Sequence, residues 1–96
     1  MKGYSFLPEA ERELVDALAY SSDPIRFNRR VAKSIDDIVM GRVQHAFHGR
    51  TKARECLLQP LPYSMIYVDD PTEIRIIALA HHKRRPGYWK RRLKST

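Results

Sequence analysis

The feature that most restricts this chain is a change in the period of its apolar residues at Gly49. Before it, Phe27, Val31, Ile35, Ile38, Val39, Val43 and Phe47 recur at helical spacing; after it, apolar residues alternate. A chain that is helical in its first half and stranded in its second has to pack helices against one sheet, which is an α+β arrangement.

The elements follow from local chemistry. Residues 3–7 carry Tyr4 and Phe6 on one alternating face and are predicted as a short strand. Pro8 opens a helix with Ala10, Leu14, Ala17 and Leu18 on one face, and Glu9, Glu11 and Glu13 lie toward its positive end. That helix is predicted to end near Ser21-Ser22. Asp23-Pro24 then supplies an N-cap and a first-turn proline for a second helix, which the spacing carries to His48-Gly49. The two helices form an antiparallel hairpin whose stripe of Phe27, Val31, Ile35 and Ile38 is core.

Beyond Gly49 the alternation predicts a strand over 54–58, a proline-bounded turn over 59–62, and a central strand with Tyr63, Met65 and Tyr67 on one face and Ser64, Ile66 and Val68 on the other. A turn over 69–72 leads to a last strand, where Ile74, Ile76, Ala78 and Ala80 are expected on one face and Arg75, Ile77, Leu79 and His81 on the other. Pro86-Gly87 reads as a turn before a short basic helix lying beside that strand. Trp89 is expected to clamp this tail onto the sheet. The predicted fold is thus an N-terminal strand, a two-helix antiparallel hairpin, an antiparallel meander packed against the helices, and a short basic C-terminal helix.

With 96 residues, 43% of them apolar, the chain has material for one core, and residues 1–96 are read as a single domain. No apolar run approaches the ~20 residues that would span a bilayer, so no membrane association is expected. Residues 1–5 lack the apolar segment of a secretory signal and Cys56 is the single cysteine, so a reducing cytoplasm is the expected compartment. His45 and His48 are expected on the second helix without a matching carboxylate, and Cys56 is isolated, so neither metal nor other cofactor is expected. There is no glycine-rich phosphate loop, and no small-molecule substrate is expected.

Charge is unevenly distributed. Residues 1–48 hold seven Lys/Arg and seven Asp/Glu, whereas 49–96 hold eleven and four, so the net charge of +7 lies entirely in the second half. Lys83, Arg84, Arg85, Lys90, Arg91, Arg92 and Lys94 follow one another with no acidic residue among them. Such a field favours a polyanion or an acidic protein partner.

The succession of strand, proline-led helix, second helix, Leu61-Pro62-Tyr63-Ser64-Met65-Ile66-Tyr67, the charged turn, Ile74 to Ala80 and His82-Lys83-Arg84-Arg85-Pro86-Gly87-Tyr88-Trp89 resembles the RelE/ParE toxin superfamily of type II toxin–antitoxin systems. The closing motif resembles the ParE-like, plasmid-stabilisation branch. The resemblance implies a toxin neutralised by an acidic cognate antitoxin, with DNA gyrase as the target and no catalysis. The alternative it implies is a metal-independent, ribosome-dependent mRNA endonuclease, in which Arg54, His82, Arg84 and Tyr88 are the catalytic candidates and Lys52 lies near a further basic position. Ser64 stands where the nuclease strand carries an arginine, and Lys90 stands where it carries a tyrosine. The surface expected to bind target and antitoxin comprises Arg54, Arg75, His82, Lys83, Arg84, Arg85, Tyr88 and Arg91.

Overall fold

A computed structural model describes residues 2–95. The chain runs β1 (Gly3–Phe6), α1 (Pro8–Tyr20), α2 (Pro24–Val39), β2 (Arg54–Leu57), β3 (Tyr63–Asp69), β4 (Glu73–His81) and a C-terminal 3-10 helix (Lys90–Ser95). The strands form one sheet in the order β1-β4-β3-β2. β4 pairs antiparallel to β3 and β3 to β2, while β1 joins the outer side of β4 in parallel, Phe6 opposite Ile76. Among the described residues no helix is long and apolar enough to cross a membrane.

Both helices start as their sequences dictate. Pro8 and Pro24 occupy first turns, where a missing N–H costs nothing, and the Asp23 carboxylate accepts the Arg26 N–H at 3.1 Å. Replacing this cap should cost about 0.5–2 kcal/mol, so Asp23→Ala is expected to lower the urea midpoint of unfolding without changing its slope.

The end of α2 departs from the sequence expectation. The helix stops at Val39, not near Gly49, because Gly41 takes a left-handed conformation at φ +72° and closes the end. Its N–H reaches Ile38 O at 3.1 Å, and Arg42 N–H reaches Asp37 O at 2.9 Å. Val43 and Phe47, spaced as if to continue the stripe, lie instead on an exposed connection, and Phe47 forms an isolated bridge with Arg54. His45 and His48 are therefore loop residues.

α1 and α2 cover one face of the sheet. Ala10 and Ala17 of α1 and Phe27, Val31, Ile35 and Ile38 of α2 meet Cys56, Met65, Tyr67, Ile74, Ile76 and Leu79. Here too the structure corrects the predicted pattern. Ile66 pairs with Ala78 but Tyr67 pairs with Ile76, so Ile77 is an extra residue and β4 bulges. One extra residue reverses the alternation, and Leu79 joins Ile74 and Ile76 on the helix side while Ala78 goes to the other.

That other face is also covered. Trp89, only 2% exposed, packs with Ala53, Ile66, Val68, Ile77 and Ala78, and Leu93 and Tyr88 border the cluster. Trp89 thus clamps the tail as expected. The tail lies across the face of the sheet opposite the helices, which the sequence placed only beside the last strand.

Candidate functional site

β1 ends its pairing at the Leu7 N–H to Ile76 O bond of 2.9 Å, so β4 runs on for another five residues without a strand on that side. Side chains take the place of the missing strand. The Leu79 N–H donates to Glu13 Oε1 at 3.1 Å, and Ile77 O accepts from Arg92 at 3.0 Å. Glu13 also accepts both guanidinium nitrogens of Arg92, at 2.9 and 3.1 Å, and the Tyr88 hydroxyl at 2.5 Å. Arg84 approaches the same carboxylate at 3.9 Å and stacks over the Tyr88 ring at 3.9 Å. One glutamate from α1 therefore gathers the strand edge, the turn after β4 and the tail.

This arrangement fixes what Tyr88 can do. Burial, with the hydrogen bond to Glu13 and its charge, raises the phenol well above its ordinary value of 10. It is a neutral donor locked onto a carboxylate. Arg92 is held positive: burial disfavours its charge, and the bond to Glu13, the charge of Glu13 and the electrostatics of Tyr88 and Glu9 together outweigh that cost.

Beyond this knot, on the Trp89 side, lies a cleft of about 170 Å³ lined by His48, Glu55, Ser64, His82, Arg84 and Arg85, among others. His48 Nδ1 lies 3.0 Å from Glu55 Oε1, and its ring meets Trp89 edge-on. Ser64 bonds to Glu55 and lies 3.2 Å from His82 Nε2. Since a carboxylate only accepts, the proton order is His82 Nε2–H to Ser64, Ser64 O–H to Glu55, and His48 Nδ1–H to Glu55. Burial pushes the Glu55 carboxyl up, but the bonds from His48 and Ser64 and the nearby imidazoles hold it below its ordinary value. The cleft thus combines a carboxylate and two imidazoles, each with one nitrogen outside the chain of bonds.

The residues singled out from sequence do not all converge. His82, Lys83, Arg84, Arg85 and Tyr88 cluster where β4 ends, and Arg91 is exposed on the 3-10 helix. Arg75 lies six residues back along β4, roughly 20 Å away at ~3.3 Å per residue, and is paired with Asp70 and Glu73 at 3.4 and 3.5 Å. Arg54 serves the 40–53 connection, donating to His45 O at 2.5 Å and stacking on Phe47 at 4.0 Å. Five residues that build the site were not singled out for it: Glu13, Arg92, His48, Glu55 and Ser64. The signal for Glu13 was present, a charge placed between Ala10 and Ala17 on the buried side of α1. No such signal existed for His48 and Glu55, because their approach depends on where α2 stops.

His45 carries a testable consequence. Its Nδ1 lies 2.7 Å from the Tyr67 hydroxyl, and burial, aided by the charge of Arg54, lowers its pKa from the ordinary 6.5. In the window below 6.5 the unfolded chain binds this proton and the folded one does not, so stability is complete above 6.5 and falls with acidification until the folded value is passed. His45→Asn should flatten this part of the stability profile, measured by urea unfolding at about pH 7.5 and about pH 5.5.

No protein-family model matches the chain, and no curated protein does. Several solved chains share its architecture, two of them as follows. A chain of the chromosomal ParDE TA system from P. aeruginosa superposes with a TM-score of 0.70 at 12% identity, over 84% of this chain and 96% of that one. A copper-bound mutant toxin from Helicobacter pylori superposes with a TM-score of 0.68 at 18% identity, over 85% and 96%. The chain has the α+β fold of these two structures.

Proposed function

We propose that this chain is the toxin of a toxin–antitoxin pair, that it binds and blocks DNA gyrase in the cytoplasm, and that an acidic antitoxin neutralises it. The observation that carries this reading is the division of labour around β4. The groups able to exchange protons are tied to internal partners: Tyr88 to Glu13, His48 to Glu55, His82 to Ser64, and His81 to the Lys83 N–H. The cations Lys83, Arg85, Lys90 and Arg91 are exposed, and among the described residues their charges are unpaired. A turn and short helix that present exposed cations suit recognition of a large polyanionic assembly by charge, and need no chemistry of their own.

One observation favours a second reading, cleavage of mRNA on the ribosome. The Glu55, Ser64, His48 and His82 cleft has the groups that general acid–base cleavage requires, beside Arg84 and Arg85 for phosphate. Pulse-labelling of DNA and protein synthesis just after induction, without antitoxin, separates the two. Gyrase inhibition is expected to depress DNA synthesis first, with His82→Ala nearly silent. Translation falling first, and recovering in His82→Ala or Arg84→Ala, would replace it with the nuclease reading.

A further inference from the structure

Phe47 is an aromatic side chain that the core does not use. It is 54% exposed and belongs to neither apolar cluster. The structure nonetheless holds it in one orientation. Its backbone bridges Arg54, flanked by the Glu55 N–H to Ala46 O bond of 3.2 Å and the His48 N–H to Ala53 O bond of 2.8 Å. The Arg54 guanidinium lies 4.0 Å over the ring centroid and is itself anchored to His45 O. With one face of the ring covered by a fixed cation, its exposure falls on the opposite face and the outer edge.

The ring stands apart from the cleft of Glu55 and His82. Arg54 pairs with Tyr67, which packs toward the helices, and Glu55 pairs with Ile66, which packs toward Trp89. Successive residues of a strand point to opposite faces. Phe47 and Arg54 are therefore presented on the helix side of the β2 edge, while His48 and Glu55 line the cleft on the other. The chain around the ring is basic: residues 38–54 contain Arg42, Arg50, Lys52 and Arg54 and no Asp or Glu. Arg50 and Lys52 are exposed, and the carboxylates that precede this stretch, Asp36 and Asp37, are engaged by Arg42 at 2.7 and 3.2 Å.

A fixed flat ring, backed by a guanidinium and set among cations, selects a second flat π system that carries negative charge. The bases of single-stranded nucleic acid stack on such rings while cations track the backbone. A base inside a duplex is already stacked on its neighbours and offers no free face. An acidic peptide matches less well, because its apolar anchors dock into grooves and pockets, and Phe47 stands on an exposed connection at the sheet edge. We propose that Phe47 and Arg54 form a stacking platform for one unpaired base of single-stranded nucleic acid, with Arg50 and Lys52 taking the flanking phosphates. This site goes beyond the toxin reading and does not depend on it.

The test is binding of labelled oligo-dT and oligo-rU of about 12 nucleotides, within the site sizes of single-strand binders, read by fluorescence anisotropy on the whole chain. Phe47→Ala is expected to weaken binding about 5- to 150-fold, the contribution of one base stacking on one ring. Phe47→Leu, which keeps apolar bulk and loses the ring, should weaken it comparably, and Phe47→Trp should bind at least as tightly as the wild type. In Phe47→Trp the oligonucleotide should also quench the added indole fluorescence, because the chain's own tryptophan, Trp89, is buried. Arg50→Glu/Lys52→Glu should lose affinity at low salt, and His48→Ala/His82→Ala should not. Matching circular dichroism and urea midpoints for Phe47→Ala and the wild type separate loss of contact from loss of fold. Tighter binding of either oligonucleotide supports the proposal and identifies the sugar. The proposal is overturned if the wild type binds neither, if Phe47→Ala or Phe47→Leu binds as the wild type does, or if the indole is not quenched. A duplex of the same length binding as tightly as the single strand also overturns it, by reducing the interaction to charge. Quenching by an acidic peptide and not by an oligonucleotide overturns it in favour of a peptide site. None of these outcomes depends on whether DNA or protein synthesis falls first in the pulse-labelling experiment.

Discussion

Glu13→Ala should destabilise the protein by about 3–5 kcal/mol, the usual effect of removing one partner from a buried ion pair. Glu13 and Arg92 are only 14% and 12% exposed, so solvent cannot replace what the carboxylate supplies. The substitution removes the shared acceptor of the Arg92 guanidinium, the Tyr88 hydroxyl and the Leu79 N–H at once, leaving Arg92 its bond to Ile77 O but no counter-charge from Glu13. For a domain of this size, whose whole stability is about 5–15 kcal/mol, that is a loss of roughly 12 °C or more in Tm. Glu13→Gln keeps one acceptor and should lose less. Arg84→Ala, removing a 55% exposed partner at 3.9 Å, should cost under about 1 kcal/mol. A loss of less than about 1 kcal/mol for Glu13→Ala in urea unfolding would mean that Trp89 alone holds the tail.

The size of that effect reflects a topological fact that the sequence does not announce. Alternation located β3 and β4, and helical spacing located α1 and the whole of α2, overrunning only its end, because burial of one face forces those periods. The period of a strand says nothing about where its neighbour ends. β1 stops opposite Ile76, leaving an open edge that side chains from elsewhere close, Glu13 at the Leu79 N–H and Arg92 at Ile77 O. The bulge at Ile77 is similarly silent: Ile74 to Ala80 is apolar at nearly every position, and a run buried on both faces carries no parity.

The candidate site was partly legible for the same reasons. His82 to Arg85 were found because charge accumulates there along the chain, which is a one-dimensional signal. Glu55 and His48 were not, because two glycines, Gly41 and Gly49, each offered an end for α2, and both have positive φ. Only the earlier one terminates the helix. That choice turns residues 40–48 from more than two further helical turns into part of a connection whose Ala46 O and His48 N–H bond along β2, to Glu55 and Ala53. It thereby carries His48 to the carboxylate of Glu55.

Arg85→Glu/Arg91→Glu should abolish growth arrest, raising survival after induction by on the order of a hundredfold, the scale over which charge steering changes association. Both residues are exposed and unpaired among the described residues, so the fold should change by no more than about 0.5 kcal/mol. This separates them from Arg92 and Tyr88, whose loss would abolish activity simply by releasing the tail. The comparison that gives the result meaning is His48→Ala/His82→Ala. Binding alone requires neither imidazole, so this pair should remain toxic when the charge-reversed pair is not. The opposite pattern, arrest lost with the histidines and kept with the reversed cations, would place the activity in the cleft. The basic turn would then be left as the surface that holds RNA beside it.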